Sequence, residues 1–310
     1  MSGWIAIDGG QSEVRVRLSG QGSDVLRGPG FVHGPGPVGR IVAAVQEALD
    51  GTTVPQGATV GVGHTGFPSR DADKLDLCLA LGDLLDAAEV RAAPDWVTAH
   101  LGALGGGPGV VLAVGTGAVC LGTTGSGPSI AVGGWGPVFG DAGSAFWIGR
   151  AGLEAALRHD DGRASTPDLH REARQVFGPD LHVATAELYA APDLVDRVAH
   201  FAPLVVGVAR SGDPIAKDIV RRAVEAHVEM VVTAAGRLPA DHALPVSYAG
   251  GVLREAGHLV GLLRSELGRC LPGSRLLAPA GDALSGAVLL ATTDSHPFED
   301  LVVSTTRSTS

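Results

Sequence analysis

The sequence predicts an α/β protein with two domains, and three observations carry that prediction. The chain has 310 residues, 45% of them hydrophobic, which suffices for a large core and about two domains. Short apolar runs alternate with helical patterns, as in α/β domains. A strand, a glycine turn and a second strand occur twice, around 8–10 and around 115–117. This repeat indicates an internal duplication of architecture, with a boundary in the glycine-rich run 105–109.

The periodicity of apolar residues places each element in order. In the first half we expect strands at 4–8, 14–18, 24–27, 58–62 and 90–92, and helices at 38–49, 71–86 and 95–104. In the second half we expect strands at 110–114, 118–122, 129–132, 245–249 and 275–277. Helices should fill 144–158, 169–177, 184–190, 193–211, 213–238, 253–267 and 282–291.

The composition excludes several classes of protein. Charged residues make up 18% of the chain and the net charge is −10, so no basic surface for nucleic acid is expected. No apolar run is long enough to span a membrane, and the N-terminus lacks a basic segment followed by an apolar one. Cys78, Cys120 and Cys270 are too widely separated for a zinc site or a disulfide framework. We therefore expect a cytoplasmic protein.

The stretch 133–150, GGWGPVFGDAGSAFWIGR, is the most distinctive segment. It begins as a glycine-rich loop and becomes helical near Ser144. Trp135 and Asp141 could grip a small polar ligand through an apolar face and a charged acceptor. The alternative is a structural turn whose aromatic residues fill the core, and that role is the one we expect for Trp147.

Three glycine turns follow predicted strands, at 8–12, 115–117 and 250–251. Backbone N–H groups in such turns can cradle phosphate oxygens, although a glycine pair after a strand is most often only a turn. Two hairpins facing each other across a cleft could hold a triphosphate. The sequence has no GxxxxGK[ST] motif and no GxGxxG after the first strand, which excludes a P-loop protein and argues against a dinucleotide fold.

In the order of these motifs the chain resembles the sugar kinase/Hsp70/actin superfamily. DGGQS at 8–12 matches its phosphate 1 hairpin, GTGA at 115–118 its phosphate 2 hairpin, and GGV at 250–252 its adenosine motif. GGWG, GDAGS and WIGR within 133–150, and the closing segment 279–291, resemble the BadF/BadG/BcrA/BcrD group, in its amino-sugar kinase branch. Two departures are Ala118, where a hydroxyl is usual, and a loop at 28–36 that offers His33 but no Asn.

The resemblance implies two ribonuclease H-like domains of the actin/hexokinase type, with a nucleotide cleft between them. The N-terminal domain would span 1–106 and be completed by a C-terminal helix near 280–293. The C-terminal domain would span 107–279, and 304–310 would form a disordered tail.

The resemblance also implies roles for individual residues, with ATP and Mg²⁺ as cofactors. Asp8 would hold the metal and Asp95 would be the general base, although a turn-capping acid and a helix N-terminal acid are the plainer interpretations. The expected nucleotide contacts are Gly9, Gly10, Gln11, Ser12, Gly115, Thr116, Gly117, Gly250, Gly251 and Leu253. The expected sugar contacts are Thr65, Gly66, Asp95, Thr116, Gly134, Trp135 and Asp141.

The function implied is an ATP-dependent kinase that phosphorylates O6 of glucosamine or N-acetylglucosamine, in a homodimer. One alternative is an ATPase activator without a sugar substrate. Such activators hold an iron–sulfur cluster through grouped cysteines, which this sequence does not offer. Another alternative is a kinase for a different hexose, such as glucose. For His33, His64 and His100 a structural or surface role is expected.

Overall fold

A computed structural model describes residues 3–32, 34–239, 244–255 and 257–307. The loop histidine His33 therefore lies outside the described residues. The first half contains β1 Trp4–Gly9, β2 Glu13–Leu18, β3 Leu26–Pro29, α1 Pro37–Ala48, β4 Thr59–His64, α2 Asp71–Leu85, β5 Glu89–Pro94 and α3 Asp95–Leu104.

The second half begins with a three-stranded meander and continues with helices. Its elements are β6 Gly109–Val114, β7 Ala118–Thr123, β8 Ile130–Gly133, α4 Gly136–Phe139, α5 Ala145–Asp160, α6 Pro167–Phe177, α7 Leu181–Ala190, α8 Leu194–Ala199, α9 Ala202–Ser211, α10 Pro214–Arg237, β9 Val246–Ala249, α11 Gly251–Glu255, α12 Gly257–Cys270, α13 Ala283–Thr292 and β10 Val303–Thr306.

The strands form two sheets, and β1–β4 in the first are arranged in the same way as β6–β9 in the second. The first sheet runs β10-β5-β4-β1-β2-β3 and the second runs β8-β7-β6-β9. In each, an antiparallel three-stranded meander is extended by a parallel strand, β4 beside β1 and β9 beside β6. The duplication predicted from the glycine turns is therefore present in the topology. The two sheets also support the domain limits of 1–106 and 107–279, which remain our proposal.

Alternation along β2 shows how the sequence builds the first sheet. Val14, Val16 and Leu18 are buried, whereas Arg15 and Arg17 point to the other face. This period of two is typical of a strand with one apolar face. On the apolar side the strand packs into a core shared with α1 and α2.

Helix α3 lies between the two sheets and crosses α13 closely. A Cβ on Gly102 would lie 1.9 Å from the Asp282 carbonyl oxygen, and one on Gly286 would lie 1.8 Å from the Thr98 carbonyl oxygen. Only glycine permits this approach, which is why both residues occur at the crossing. Helix α13 also packs on β1 and β4, so the first sheet is covered by a helix from the C-terminal part of the chain.

The core of the second half is built mainly from α5, α9, α10 and the second sheet. Helix α10 is the longest helix described, with 24 residues. Its start is defined by Pro214 in the first turn and by the Asp213 carboxylate, which accepts hydrogen bonds from the N–H groups of Ile215 and Ala216 at 2.9 and 2.8 Å. Such a cap satisfies donors that the helix itself leaves open.

Three details differ from the sequence-based expectations. Residues 304–306, expected at the start of a disordered tail, belong to β10, which pairs antiparallel with β5; residues 308–310 lie outside the described part. The strand at 275–277 is reduced to a bridge between Val246 and Leu276. The short helix α4 was not expected, because its four residues, Gly136–Phe139, lie within a glycine-rich loop. No helix among the described residues is long and apolar enough to cross a membrane.

Candidate functional site

The first glycine turn joins β1 to β2 and is held tightly by backbone hydrogen bonds. The Gly10 N–H donates to the Glu13 carbonyl oxygen, and the Phe31 N–H donates to that of Gly10, both at 2.9 Å. The Thr65 N–H donates to the Gly9 carbonyl oxygen at 2.7 Å. The turn at 8–12, called the phosphate 1 turn here after the motif that it resembles, is thereby fixed to the loop after β4, where the sugar contacts Thr65 and Gly66 were expected.

The second glycine turn is held by the segment 140–146. The N–H groups of Ala145 and Phe146 donate to the carbonyl oxygens of Gly115 and Thr116, at 2.9 and 3.4 Å. The Asp141 carboxylate lies against the same turn, because a Cβ on Gly117 would be 2.9 Å from its Oδ2. The stretch 133–150 and the turn at 115–117, called the phosphate 2 turn here after the motif that it resembles, therefore form one unit.

The third glycine pair packs on the second turn. Gly250 has φ +89°, and a Cβ there would lie 2.1 Å from the Val114 carbonyl oxygen, so no other residue fits. Helix α11 begins at Gly251, directly beside the phosphate 2 turn. Leu253 was expected at the nucleotide, but its side chain is 1% exposed in the core of the second half. Its side chain therefore packs in the core rather than lining a cleft.

Asp8 lies in a network of charges at the carboxyl end of β1. Arg15, directly opposite on β2, donates from Nε to Asp8 Oδ2 at 3.0 Å and also from Nη2, and its Nη1 donates to Asp282 Oδ2 at 2.7 Å. Asp282 caps α13 by accepting from the Ser285 N–H at 2.9 Å. One arginine thus joins the first hairpin to the helix that covers the first sheet.

Asp95 is the first residue of α3, and the pKa of its carboxyl group is strongly raised. Burial and, to a smaller extent, the negative charge of Asp8 together raise the pKa of Asp95 to about 7, against hydrogen bonds from the Trp96 N–H and the Thr65 side chain. Asp8, Thr65 and Asp95 are therefore close together. A carboxyl group poised near neutral pH is suited to accept a proton.

The loop that carries Trp135 is the most exposed part of the expected sugar site. The Trp135, Val138 and Phe139 side chains are 77%, 76% and 90% exposed. The Gly134 N–H donates to the Ala118 carbonyl oxygen at 2.9 Å, which ties the start of this loop to β7. In contrast, Asp141 is 8% exposed and has φ +54°, a left-handed conformation that few residues other than glycine adopt. Such local strain is common at ligand-binding residues.

Ser12 connects the phosphate 1 turn to the second half of the chain. Its hydroxyl donates to Asp196 Oδ1, on α8, at 3.1 Å. Ser12 was expected to bind a phosphate, so a carboxylate oxygen occupies a position expected of a phosphate oxygen. Asp196 is held in turn by His200, whose Nδ1 is 3.4 Å from Asp196 Oδ2.

The comparisons with known proteins cover nearly the whole chain. The model of the BadF/BadG/BcrA/BcrD ATPase family matches residues 5–291. The chain belongs to the BadF/BadG/BcrA/BcrD ATPase family. An N-acetylmuramic acid/N-acetylglucosamine kinase of Clostridium acetobutylicum is 25% identical over 307 residues, which cover 93% of this chain and 97% of the relative. An N-acetyl-D-glucosamine kinase of Dictyostelium discoideum is 26% identical over 322 residues, with the same two coverages.

Solved structures agree with the family. A Chromobacterium violaceum protein assigned as an N-acetylglucosamine kinase is 27% identical, with a TM-score of 0.71 over 94% of this chain and 99% of that one. A ROK family glucokinase from Streptomyces griseus, at 19% identity and a TM-score of 0.57 over 93% of this chain and 98% of that one, supports the fold alone. The predicted family and the actin/hexokinase-type fold are confirmed. The family and both curated relatives also bear out the expected class of enzyme, an ATP-dependent sugar kinase.

The acidic residues at the first turn of this BadF-type ATPase are suited to a magnesium ion that is bound mainly by the phosphates of the nucleotide. No group of three or more His, Cys, Asp or Glu side chains that could hold a metal occurs in the described ranges. Mg²⁺ needs only one or two carboxylates when phosphates and waters complete its shell. Asp8, close enough to Asp95 to raise its pKa and balanced by Arg15, offers such a carboxylate.

Sequence reasoning missed three residues around the candidate site: Arg15, Asp282 and Asp196. Arg15 could have been found, because a charged residue between two buried valines of a strand points to the other face, and Arg15 lies directly opposite Asp8 on the antiparallel neighbour. Asp282 has the signature of a helix cap. Asp196 carries no signal, since its contact with Ser12 spans 184 residues.

His64 is buried immediately behind the first turn. A Cβ on Gly9 would lie 2.0 Å from its Cδ2, and its ring meets the Phe31 ring edge-on at 5.4 Å between centroids. Its Nδ1 donates to the Thr65 carbonyl oxygen, and burial lowers the pKa of His64 to about 4. The side chain is therefore neutral and supports the turn by packing. His100 is also structural: it is fully buried, and its Nε2 donates to the Gly109 carbonyl oxygen at 3.1 Å.

The contact between Ser12 and Asp196 leads to a prediction about nucleotide affinity. Asp196→Ala frees the Ser12 hydroxyl and removes a negative charge beside the phosphate 1 turn. We expect the Kd of a non-hydrolysable ATP analogue to fall about fivefold, the effect of one hydrogen bond. Isothermal titration calorimetry measures this, with Glu187→Ala, an exposed acid on α7, as the control of equal charge. An unchanged or weaker affinity in Asp196→Ala would show that this contact does not compete with phosphate.

Proposed function

We propose that this chain transfers the γ-phosphate of ATP to O6 of an amino sugar, glucosamine or N-acetylglucosamine. The observation that carries the proposal is the Asp95 carboxyl, with its pKa raised to about 7, beside the phosphate 1 turn. The named activities of both curated relatives support an N-acetylated amino sugar. Glucosamine is kept because Asp141 and Asp95 would suit an ammonium group.

In this mechanism Asp95 accepts the proton of the sugar hydroxyl. The hydroxyl oxygen forms a bond to the γ-phosphorus as the bond between that phosphorus and the β,γ-bridging oxygen breaks, and ADP leaves. The turns at Gly9–Ser12 and Gly115–Gly117 would position the phosphates, and Asp8 would hold Mg²⁺, which neutralises phosphate charge when bound. Thr65 orients the Asp95 carboxylate through its hydrogen bond.

The sugar would lie between the loop after β4 and the loop after β8. Gly66 and Thr65 form the first wall. A Cβ on Gly66 would lie 2.1 Å from the Phe31 ring, so this loop packs directly against Phe31. Gly134, Trp135 and Asp141 form the second wall. Because Trp135 is exposed in the structure, we infer that its ring covers the sugar only when the loop moves inward.

A coupled assay of ADP release tests the proposal. The acceptors are glucosamine, N-acetylglucosamine, N-acetylmuramic acid, glucose and no sugar, and the phosphorylated product is located by NMR. We expect the largest kcat/KM with an amino sugar and phosphate on O6. ADP release that is indifferent to every sugar would favour an ATPase activator, and a preference for glucose would favour the hexokinase alternative.

The pH dependence of the reaction follows from Asp95. The carboxylate must be ionised to accept a proton, and its pKa is raised to about 7, so kcat/KM should rise with pH and level off above about pH 7. The same shift makes the folded protein bind the proton more tightly than the unfolded chain does, so ionisation of Asp95 lowers stability as pH rises from about 4 to about 7. A kcat/KM profile that is flat from about pH 5.5 to about pH 8 would contradict this role.

A further inference from the structure

A second concave site lies on the side of the C-terminal half, between α5 and α10. It encloses about 320 Å³, a volume in the range of small-molecule pockets. Its wall carries Arg150, Glu154 and Arg158 from α5 and Arg222 from α10, and its apolar surface includes Trp147 and Ile219. None of these residues belongs to the expected nucleotide or sugar contacts.

The arginines on α5 do not form the ion pairs that their spacing from Glu154 would allow. Arg150, Glu154 and Arg158 follow each other at intervals of four residues, the spacing of helical ion pairs. In the described part of the chain, however, Arg150 and Arg158 form no ion pair, either with Glu154 or with any other acid. Two arginines without an ion pair therefore line one pocket in a protein whose net charge is −10.

The third arginine supplies a different contact. Arg222 pairs with Asp218 at 2.9 Å and holds its Cζ 5.4 Å from the centre of the Trp147 ring. This cation–π contact holds the indole in the pocket that Arg150 and Arg158 also line. An aromatic face in a pocket lined by two arginines is suited to a ring that carries a phosphate, because each guanidinium can donate two hydrogen bonds to phosphate oxygens and indole packs on the apolar face of a sugar.

We propose that this pocket binds a small phosphate monoester that carries a sugar ring. Arg150 and Arg158 bind the phosphate, and Trp147 packs against the ring. The site is separate from the cleft but adjacent to it, because α5 begins at the phosphate 2 turn, where the Ala145 N–H donates to the Gly115 carbonyl oxygen. An occupant of the pocket thus contacts the helix that holds that turn.

Calorimetric titration tests the proposal without any turnover. The probes are glucose 6-phosphate, inorganic phosphate and glucose, in a buffer free of phosphate and sulfate. The test variant is Arg150→Ala/Arg158→Ala. The control is Arg210→Ala/Arg264→Ala, which removes two exposed arginines elsewhere in the same half of the chain and gives the same net charge. Thermal melting checks that both variants are folded.

We expect glucose 6-phosphate to bind more tightly than inorganic phosphate, and its affinity to fall at least about tenfold in Arg150→Ala/Arg158→Ala but not in the control. Trp147→Leu should reduce the affinity for glucose 6-phosphate to that for inorganic phosphate. Unchanged binding in Arg150→Ala/Arg158→Ala, or an equal loss in the control, would overturn the site. Equal affinities for the two phosphates in the wild type would overturn the sugar part of the proposal. Because this measurement needs no kinase activity, its failure is distinct from failure of the proposed reaction.

Discussion

Asp95→Asn should lower kcat about 10²- to 10⁴-fold and leave the Kd for nucleotide nearly unchanged. The substitution keeps the size and polarity of the side chain but removes the group that accepts the proton. Nucleotide binding should persist because the glycine turns are held by their own backbone hydrogen bonds, such as that from Thr65 N–H to the Gly9 carbonyl oxygen. Steady-state kinetics with the preferred sugar and calorimetry with an ATP analogue measure the two effects.

The matched control is Asp71→Asn. Asp71 is also the first residue of a helix, α2, but it is exposed and its carboxylate pairs with Lys74 at 2.8 Å. If Asp95 were only a helix N-terminal acid, both substitutions would change activity by similar small amounts. Turnover within about tenfold of the wild type in Asp95→Asn would remove Asp95 from the chemistry.

Arg15→Met should destabilise the folded protein by about 3 kcal/mol at neutral pH. The substitution removes the cation between Asp8 and Asp282, and a partly buried carboxylate left without its partner is costly. Urea denaturation followed by circular dichroism gives the free energy of unfolding. The deficit should shrink at acid pH, because burial raises the pKa of Asp8 and protonation then removes the unpaired charge.

Arg17→Met is the comparison for this experiment. Arg17 lies two residues further along β2 and faces the same side, but its Nε is buried without a hydrogen-bond partner. Its replacement should change the free energy of unfolding by less than about 1 kcal/mol. Similar losses in both variants would mean that the strand needs long side chains there rather than the charge of Arg15.

Local patterns were sufficient to predict most of the fold. The β1–β2 hairpin and the strand β4 follow from alternation and glycine punctuation, which depend only on neighbouring residues. The strand β10 could not be predicted in this way, because VSTT is polar and becomes a strand only through pairing with β5, more than 200 residues earlier.

The candidate site was predictable where its residues lie in glycine motifs. Asp8 and Gly9 lie at the β1–β2 turn and residues 115–117 form the β6–β7 turn, as the glycine motifs predict. The network around Arg15 was not predictable in full, since it depends on α13 reaching the first sheet. The exposure of Trp135 was also unexpected, because a tryptophan between glycines gives no indication of which way its ring will point.

The crossing of α3 and α13 has a consequence for how the chain acquires its structure. The first sheet is formed by strands within residues 4–94 and by β10, and α13 covers one of its faces. The two parts of the chain that build this layer are therefore separated by nearly the whole second half. During synthesis the face of β1 and β4 that α13 covers must wait for residues 283–306, while the second half can already fold. Loop closure over such a distance is slow and exposes apolar surface in the meantime. The part of the protein made first is therefore the part finished last.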